Sequence, residues 1–170
     1  TLFRSVRLKH GQALFLGPNE PHAYLEGRIL ECMAESDNVV RAGLTSKFRD
    51  TRTLLSMLTY KTGPAKIVEP VFTGSSVNHY EIPVNDFTVE KITPNPARLA
   101  SLRTDRPAIY ITMSGTAMFT ARDSGLLSKK SLGRGSVLFV PGDLQDRNLQ
   151  LSITGSAGSE VWRASVHRDY

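Results

Sequence analysis

The stretch GPNEPHAYLEG, residues 17–27, packs a histidine, a tyrosine, two carboxylates and two prolines into a segment that directly follows the apolar run ALFL. Side chains of these types have two uses at the end of a strand. They decorate a solvated turn, or they point into a cavity and do chemistry there. His22 is the pivot, because a neutral imidazole nitrogen binds a divalent metal and also takes up a proton near neutral pH. Glu20 and Glu31 are carboxylates able to orient such an imidazole, bind a hydroxyl or exchange protons. Tyr24 follows His22 by two residues, and if a strand continues through them both side chains leave the same face. Arg41 interrupts the apolar segment NVVRAGL. An arginine is costly to bury alone, so it either reaches outward or enters a polar pocket. Lys47, six residues on, is placed to join Arg41 in holding an anion such as a phosphate, or to stay solvated.

Positioning these groups falls to a mostly β chain. QALFL (12–16), RILECM (28–33) and NVVRAGL (38–44) are short apolar-rich runs bounded by Gly, Pro, Asn or Asp, which predicts strands. DTRTLLSMLTY (50–60) breaks the pattern: Asp50 is a good N-cap, Leu54, Leu55 and Leu58 recur at helical spacing, and Gly63 and Pro64 stop the helix. Then come KIVEPVF, HYEIPV, FTVEKI, RLASL, AIYITM, TAMFTA, SVLFVPG, LQLSIT and EVWRASV, short strands about ten residues apart. Such regularity predicts an all-β sandwich or jelly roll.

An internal echo runs through this pattern. LKHGQALFLGPNEPH (8–22) lines up without a gap with LGRGSVLFVPGDLQD (132–146), at a constant offset of 132 − 8 = 124. Both copies enter a sharp corner in which Gly permits the turn and Pro stiffens it. The echo predicts two related β-barrel halves. His22 faces Asp146 across it, so a metal is expected at the first corner and not at the second.

Composition narrows the function classes. The 170 residues suffice for one ordinary domain, or two small ones, with a buried core. With 40% hydrophobic and 22% charged residues the chain reads as soluble and globular rather than disordered. No apolar run approaches the roughly 20 residues that span a bilayer, so no membrane is expected as partner. The net charge of +5 is spread out, densest at SKK (128–130). No basic patch is interleaved with aromatics, so no nucleic acid is expected either. The single cysteine, Cys32, excludes an intrachain disulfide and fits a reducing, cytoplasmic setting. The opening TLFRSVRLKHG lacks both the apolar core of a signal peptide and an initiator methionine, as expected of a fragment or a processed chain.

NEPHAY followed by LECMAESDNVVRAGLTSKF, within residues 8–61, strongly resembles the type I mannose-6-phosphate isomerases. VNDFTVEKI and GSVLFVPG are weaker islands of likeness in the remainder. The resemblance implies cupin-type jelly rolls, with 1–48 the C-terminal part of the catalytic barrel, 49–64 a helix and linker, and 65–170 a C-terminal jelly-roll β-domain. It implies a zinc-dependent aldose–ketose isomerase that interconverts mannose 6-phosphate and fructose 6-phosphate, with a phosphorylated hexose as its substrate. By the same resemblance His22 is a zinc ligand, and Arg41 is a catalytic residue that positions substrate and stabilises charge. Tyr24, Glu31 and Lys47 line the substrate pocket, Lys47 contacting the phosphate. Zinc would bind the substrate oxygens and polarise the carbonyl as an enediol forms. Glu31 and a zinc-bound water both stay open as the proton carrier.

One departure from the family matters. Its other zinc ligands, a Gln-x-His pair and a glutamate, have no match here: His10, His79 and His167 all lack a Gln two residues before them. Catalytic zinc takes about three protein ligands and an open position. The expectation is therefore the C-terminal portion of such an isomerase, inactive alone and completed by its own N-terminal portion. Its early strands would lack partners and expose edges. The alternatives are a non-catalytic cupin-like β-domain and a metal-independent sugar-phosphate binding module using Arg41 and Lys47.

Overall fold

The computed structural model describes residues 5–36, 39–72, 76–123, 125–142 and 149–167. The chain divides into two compact units, Thr1–Val68 and Glu69–Tyr170.

In the first unit β1 (Ala13–Leu14) pairs antiparallel with β2 (Ile67–Val68), Ala13 opposite Val68 and Leu14 opposite Ile67. Helix α1 (Thr51–Met57) lies between them in the chain. It starts where the sequence predicts: the Asp50 carboxylate accepts from the Thr53 backbone N–H at 3.0 Å and from the Thr53 hydroxyl at 2.7 Å. Its inner stripe differs from the expectation. Leu54, Met57 and Leu58 are half-buried, whereas Leu55 is 55% exposed. Positions i, i+3 and i+4 set the stripe, and Leu55 is turned about 100° away from Leu54. The helix ends at Leu58, where ψ swings to 139°.

Among the described residues the expected strands RILECM and NVVRAGL do not form, Asn38 lying outside them. Residues 28–36 and 39–44 run in irregular, mostly exposed backbone. The physical reason is the lack of a ladder: an apolar run becomes a strand when a neighbour takes up its N–H and C=O groups. QALFL likewise shrinks to the two residues of β1.

Among its described residues the second unit holds ten strands: β3 (Pro70–Phe72), β4 (Val77–Tyr80), β5 (Phe87–Ile92), β6 (Ala100–Leu102), β7 (Ala108–Ser114), β8 (Thr116–Asp123), β9 (Leu126–Gly133), β10 (Val137–Val140), β11 (Gln150–Gly155) and β12 (Glu160–Val166). They form two antiparallel sheets, ordered β10-β7-β12-β5-β4-β3 and β6-β11-β8-β9. Period-two alternation gives each strand an inner side; in β7, Ala108, Tyr110 and Thr112 are buried while Ile109 is exposed. Ile92, Tyr110, Val140 and Val161 of the larger sheet join Phe119, Leu132, Leu151 and Ile153 of the smaller one in a single core. Tyr110 and Phe119 meet edge-to-face at 5.4 Å across it. This is the predicted all-β architecture, two sheets packed face to face in the manner of a cupin-type jelly roll.

One strand escapes the sequence pattern. β9, LLSKKSLG, is exposed from Leu126 through Ser131. It lies at a sheet edge beside β8, and lysines on an edge discourage further pairing. The internal echo, by contrast, is written into the backbone. Gly11 and Gly135, 135 − 11 = 124 apart, have φ of 84° and 83°. The bonds Gln12 N–H to Lys9 O and Ser136 N–H to Gly133 O, each 3.0 Å, close the two turns. A left-handed φ in the third turn position favours glycine, which explains both residues. β1 and β10 then begin at the same offset, 137 − 13 = 124. Asp146 lies outside the described residues.

Candidate functional site

The polar loop after β1 is shaped by its own side chains. The Gly17 N–H donates to Glu20 Oε2 at 3.2 Å. Asn19 takes a left-handed φ of 61°, a conformation asparagine tolerates better than most residues. Its carbonyl accepts from Thr59 N–H at 3.3 Å, tying the loop to the chain just past α1.

Within this frame His22 Nδ1 lies 2.9 Å from the Glu20 carbonyl oxygen. A carbonyl only accepts, so Nδ1 carries the hydrogen, and in the neutral ring the lone pair sits on Nε2. A backbone carbonyl holding one ring nitrogen is the arrangement that orients metal-ligating histidines. The Tyr24 ring is 5.7 Å from the His22 ring, tilted by 50°. The two residues do not share a strand face as expected, because residues 22–24 lie in no strand; the loop itself brings them together. The Tyr24 hydroxyl donates to Glu31 Oε1 at 2.7 Å. Gly27, at φ 110°, lets the chain return between them. Partial burial, and then the Glu31 carboxylate, push the Tyr24 phenol up to about 12. Tyr24 is thus a neutral donor at physiological pH. An imidazole lone pair, a phenol and a carboxylate stand side by side on an exposed loop, a set suited to gripping a hydroxylated ligand.

The structure brings His22, Tyr24 and Glu31 together but leaves the two cations apart from them. Arg41 is half-buried between half-buried Val40 and Ala42. Lys47 is exposed, its N–H donating to Thr45 Oγ1 at 3.2 Å. Among the described residues no hydrogen bond or ion pair joins either one to the His22 cluster. Nor does any group of three His, Cys, Asp or Glu side chains converge as metal ligands among them. The described residues therefore do not by themselves make up a zinc site.

Sequence reasoning missed a cleft in the second unit. A cleft of about 270 Å³ in the second unit is lined by Thr88, Arg103, Asp105, Arg106, Arg163 and Ser165, among others. Its signal is faint: Arg163 at an inward position of the alternating EVWRASV, and two arginines in RTDR.

No protein-family model matches the chain. The fold is shared with solved sugar-phosphate isomerases of cupin type. A variant of phosphomannose isomerase from Salmonella typhimurium superposes with a TM-score of 0.64 at 25% identity, over 79% of this chain and 32% of that one. A mannose 6-phosphate isomerase bound with zinc and yttrium gives a TM-score of 0.62, also at 25% identity, over 77% and 31%. In sequence, the chain is 39% identical to mannose-6-phosphate isomerase 2 of Arabidopsis thaliana over 166 residues, 96% of this chain and 36% of that protein. It is 41% identical to the Rattus norvegicus mannose-6-phosphate isomerase over 145 residues, 82% and 34% respectively. The chain thus spans about a third of the length of these curated relatives. Over that span the chain is homologous to these mannose-6-phosphate isomerases.

Proposed function

We propose that the chain is the C-terminal portion of a zinc-dependent mannose-6-phosphate isomerase, interconverting mannose 6-phosphate and fructose 6-phosphate once completed by its own N-terminal portion. The observation that carries this reading is the pinned His22 ring, whose Nδ1–H is held by the Glu20 carbonyl while its neighbours Tyr24 and Glu31 are bonded to each other. His22 supplies one zinc ligand, and the remaining ligands belong to the N-terminal portion. Tyr24, its one hydrogen given to Glu31, accepts from a substrate hydroxyl, and Glu31 accepts from the substrate or moves its proton. The Arg41 guanidinium positions the substrate and balances developing negative charge, and Lys47 contacts the phosphate. Residues 1–48 then close the catalytic barrel, 49–64 connect, and 65–170 form the accompanying β-domain. A cytoplasmic setting accords with the single Cys32.

Spacing supports the assignment of Arg41. Two solved forms of the Salmonella enzyme carry alanine in place of a histidine and an arginine 19 positions apart. His22 and Arg41 are separated by the same interval, 41 − 22 = 19. Other solved variants replace two lysines, a histidine and a glutamate far upstream in that enzyme, where an N-terminal portion would lie.

The test is the intact mass and zinc content of the polypeptide purified from its source, with an isomerase assay on it and on the isolated 170 residues. The expected result is a chain more than twice 18.7 kDa with zinc and turnover, both lost in His22→Ala, and an inactive isolated segment. A long chain without zinc, or one whose turnover survives His22→Ala, overturns the proposal.

A further inference from the structure

We infer that the arginine-lined cleft of the second unit binds a compact oxyanion, a phosphate group carried free or on a small organic molecule. The anchor is Arg163 on β12, whose residue surface is 4% exposed. It lies opposite Glu90 in the β12–β5 register. Its Nη1 donates to Glu90 Oε2 at 2.6 Å, and its Nη2 reaches the Arg103 carbonyl at a long 3.4 Å. Its Nε is buried and has no hydrogen-bond partner among the described residues. A buried guanidinium with an unmet N–H is expensive, since both its charge and its donors have left water.

The rest of the lining points the same way. Thr88 Oγ1 and Ser165 Oγ lie 2.7 Å apart. One hydroxyl donates to the other: when Thr88 donates to Ser165 Oγ the Ser165 hydrogen is free for a ligand, and when Thr88 turns to the Ser165 carbonyl, a long 3.5 Å away, Ser165 donates to Thr88 instead. Arg103, Arg106 and Arg163 line the cleft with Asp105. Among the described residues, and counting Glu90, which is bonded to Arg163, the cations exceed the carboxylates by 3 − 2 = 1. Asp105 stands 3.5 Å from Arg106 Nε, so the excess falls on the Arg103–Arg163 side. A walled cleft concentrates such a field. A wall rich in fixed N–H donors and short of acceptors suits a ligand that only accepts, and guanidinium forks match the oxygens of a phosphate. A volume of about 270 Å³ accommodates that group with a small organic substituent. None of the residues assigned to isomerisation takes part, and every lining residue lies between positions 88 and 167.

The experiment is a ¹H–¹⁵N NMR titration of the 170-residue chain with inorganic phosphate and, separately, methyl phosphate, at constant ionic strength with chloride as control. Saturable shifts are expected at the Ser165 and Val166 amides and at the Arg163 Nε–H. Arg103→Gln, an exposed position that leaves the core intact, is expected to weaken binding about tenfold. Arg163→Lys keeps the charge opposite Glu90 but removes the fork, and is expected to weaken it as well. Tighter binding of methyl phosphate identifies an organic phosphate as the ligand; equal affinities identify phosphate itself as sufficient. Shifts that never saturate, or that ignore Arg103→Gln, overturn the inference. Saturable shifts confined to residues 41–47 would overturn it too, while leaving the phosphate role proposed for Lys47 standing.

Discussion

EVWRASV in the second unit and NVVRAGL in the first are written in nearly the same residues: a polar start, two apolar side chains, an arginine, an alanine, a small residue and an aliphatic end. The first becomes β12, hydrogen-bonded to β5 and β7 on its two sides. Of the second, residues 39–44 form no ladder at all. Their arginines diverge accordingly. Arg163 is buried against Glu90 at 2.6 Å and lies 5.9 Å from the Tyr110 ring, while Arg41 is half-buried with no ion pair among the described residues. A strand, and the burial of a charge within it, belong to the neighbours as much as to the run itself. The first unit therefore reads as sequence awaiting neighbours: Leu25, Met33, Leu44 and Phe48 are all exposed in it. That condition fits the proposal that its barrel is completed by other residues.

The sharpest way to break this contrast is to remove one large side chain from each unit. Phe119 is 3% exposed in the core between the sheets, so Phe119→Ala is expected to cost about 3–5 kcal/mol through lost burial and the cavity left behind. Leu55→Ala, at a position 55% exposed on α1, is expected to stay within about 0.5 kcal/mol. Urea melts of the two variants measure both values. A costly Leu55→Ala would mean that α1 is packed in solution against something beyond its own unit.

The same contrast explains what was legible in the sequence. FTVEKI and EVWRASV read as strands and are strands, β5 and β12, with the predicted bounds. Their alternation and their partners agree. The Asp50 cap was legible because its chemistry is local, whereas the paired turns at Gly11 and Gly135 precede the strands whose far corners the sequence pointed to. β9 was hidden because an edge strand carries its polarity for reasons of solubility, which periodicity does not report. His22, Tyr24 and Glu31 were legible as residue types, but their contacts arise from loop geometry and not from the strand alternation that suggested them. The arginine cleft was illegible, since it joins β5, the loop before β7 and β12 across more than seventy residues of chain.

Alkaline pH sharpens the comparison at a lower energy. Burial pushes the Tyr110 phenol up to about 12, with Arg163 pulling it back and Glu90 pushing it further. Burial, then Glu160 and Glu69, bring Tyr80 to about 12 as well. An unfolded tyrosine loses its proton near pH 10, so above that value the unfolded chain binds fewer protons than the folded one and stability falls as pH rises. The contribution is whole below about pH 10 and is lost towards pH 12, on the order of 2 kcal/mol for Tyr110. Tyr110→Phe is expected to flatten that slope in urea melts of the second unit. Tyr24 shares the shift but is 55% exposed, so solvent screens it and Tyr24→Phe is expected to leave the slope nearly as it was. A slope indifferent to Tyr110→Phe would show that burial in the sandwich is not its source.

The smallest effect isolates the first unit. The Asp50 carboxyl is held below the usual carboxylate range by the Thr53 backbone N–H and then by the Thr53 hydroxyl. A depressed carboxyl stabilises its helix above its ordinary pKa, and that stability is lost as pH falls through the lowered value. Asp50→Ala is expected to speed amide exchange at Thr53 and its neighbours about fivefold, with Asp50→Asn recovering most of the protection because an amide oxygen still accepts from Thr53. Exchange in β5, β7 and β12 should not move. If Asp50→Ala also loosened those strands, the two units would be one cooperative body, and the contrast between Arg41 and Arg163 would need a cause other than missing neighbours.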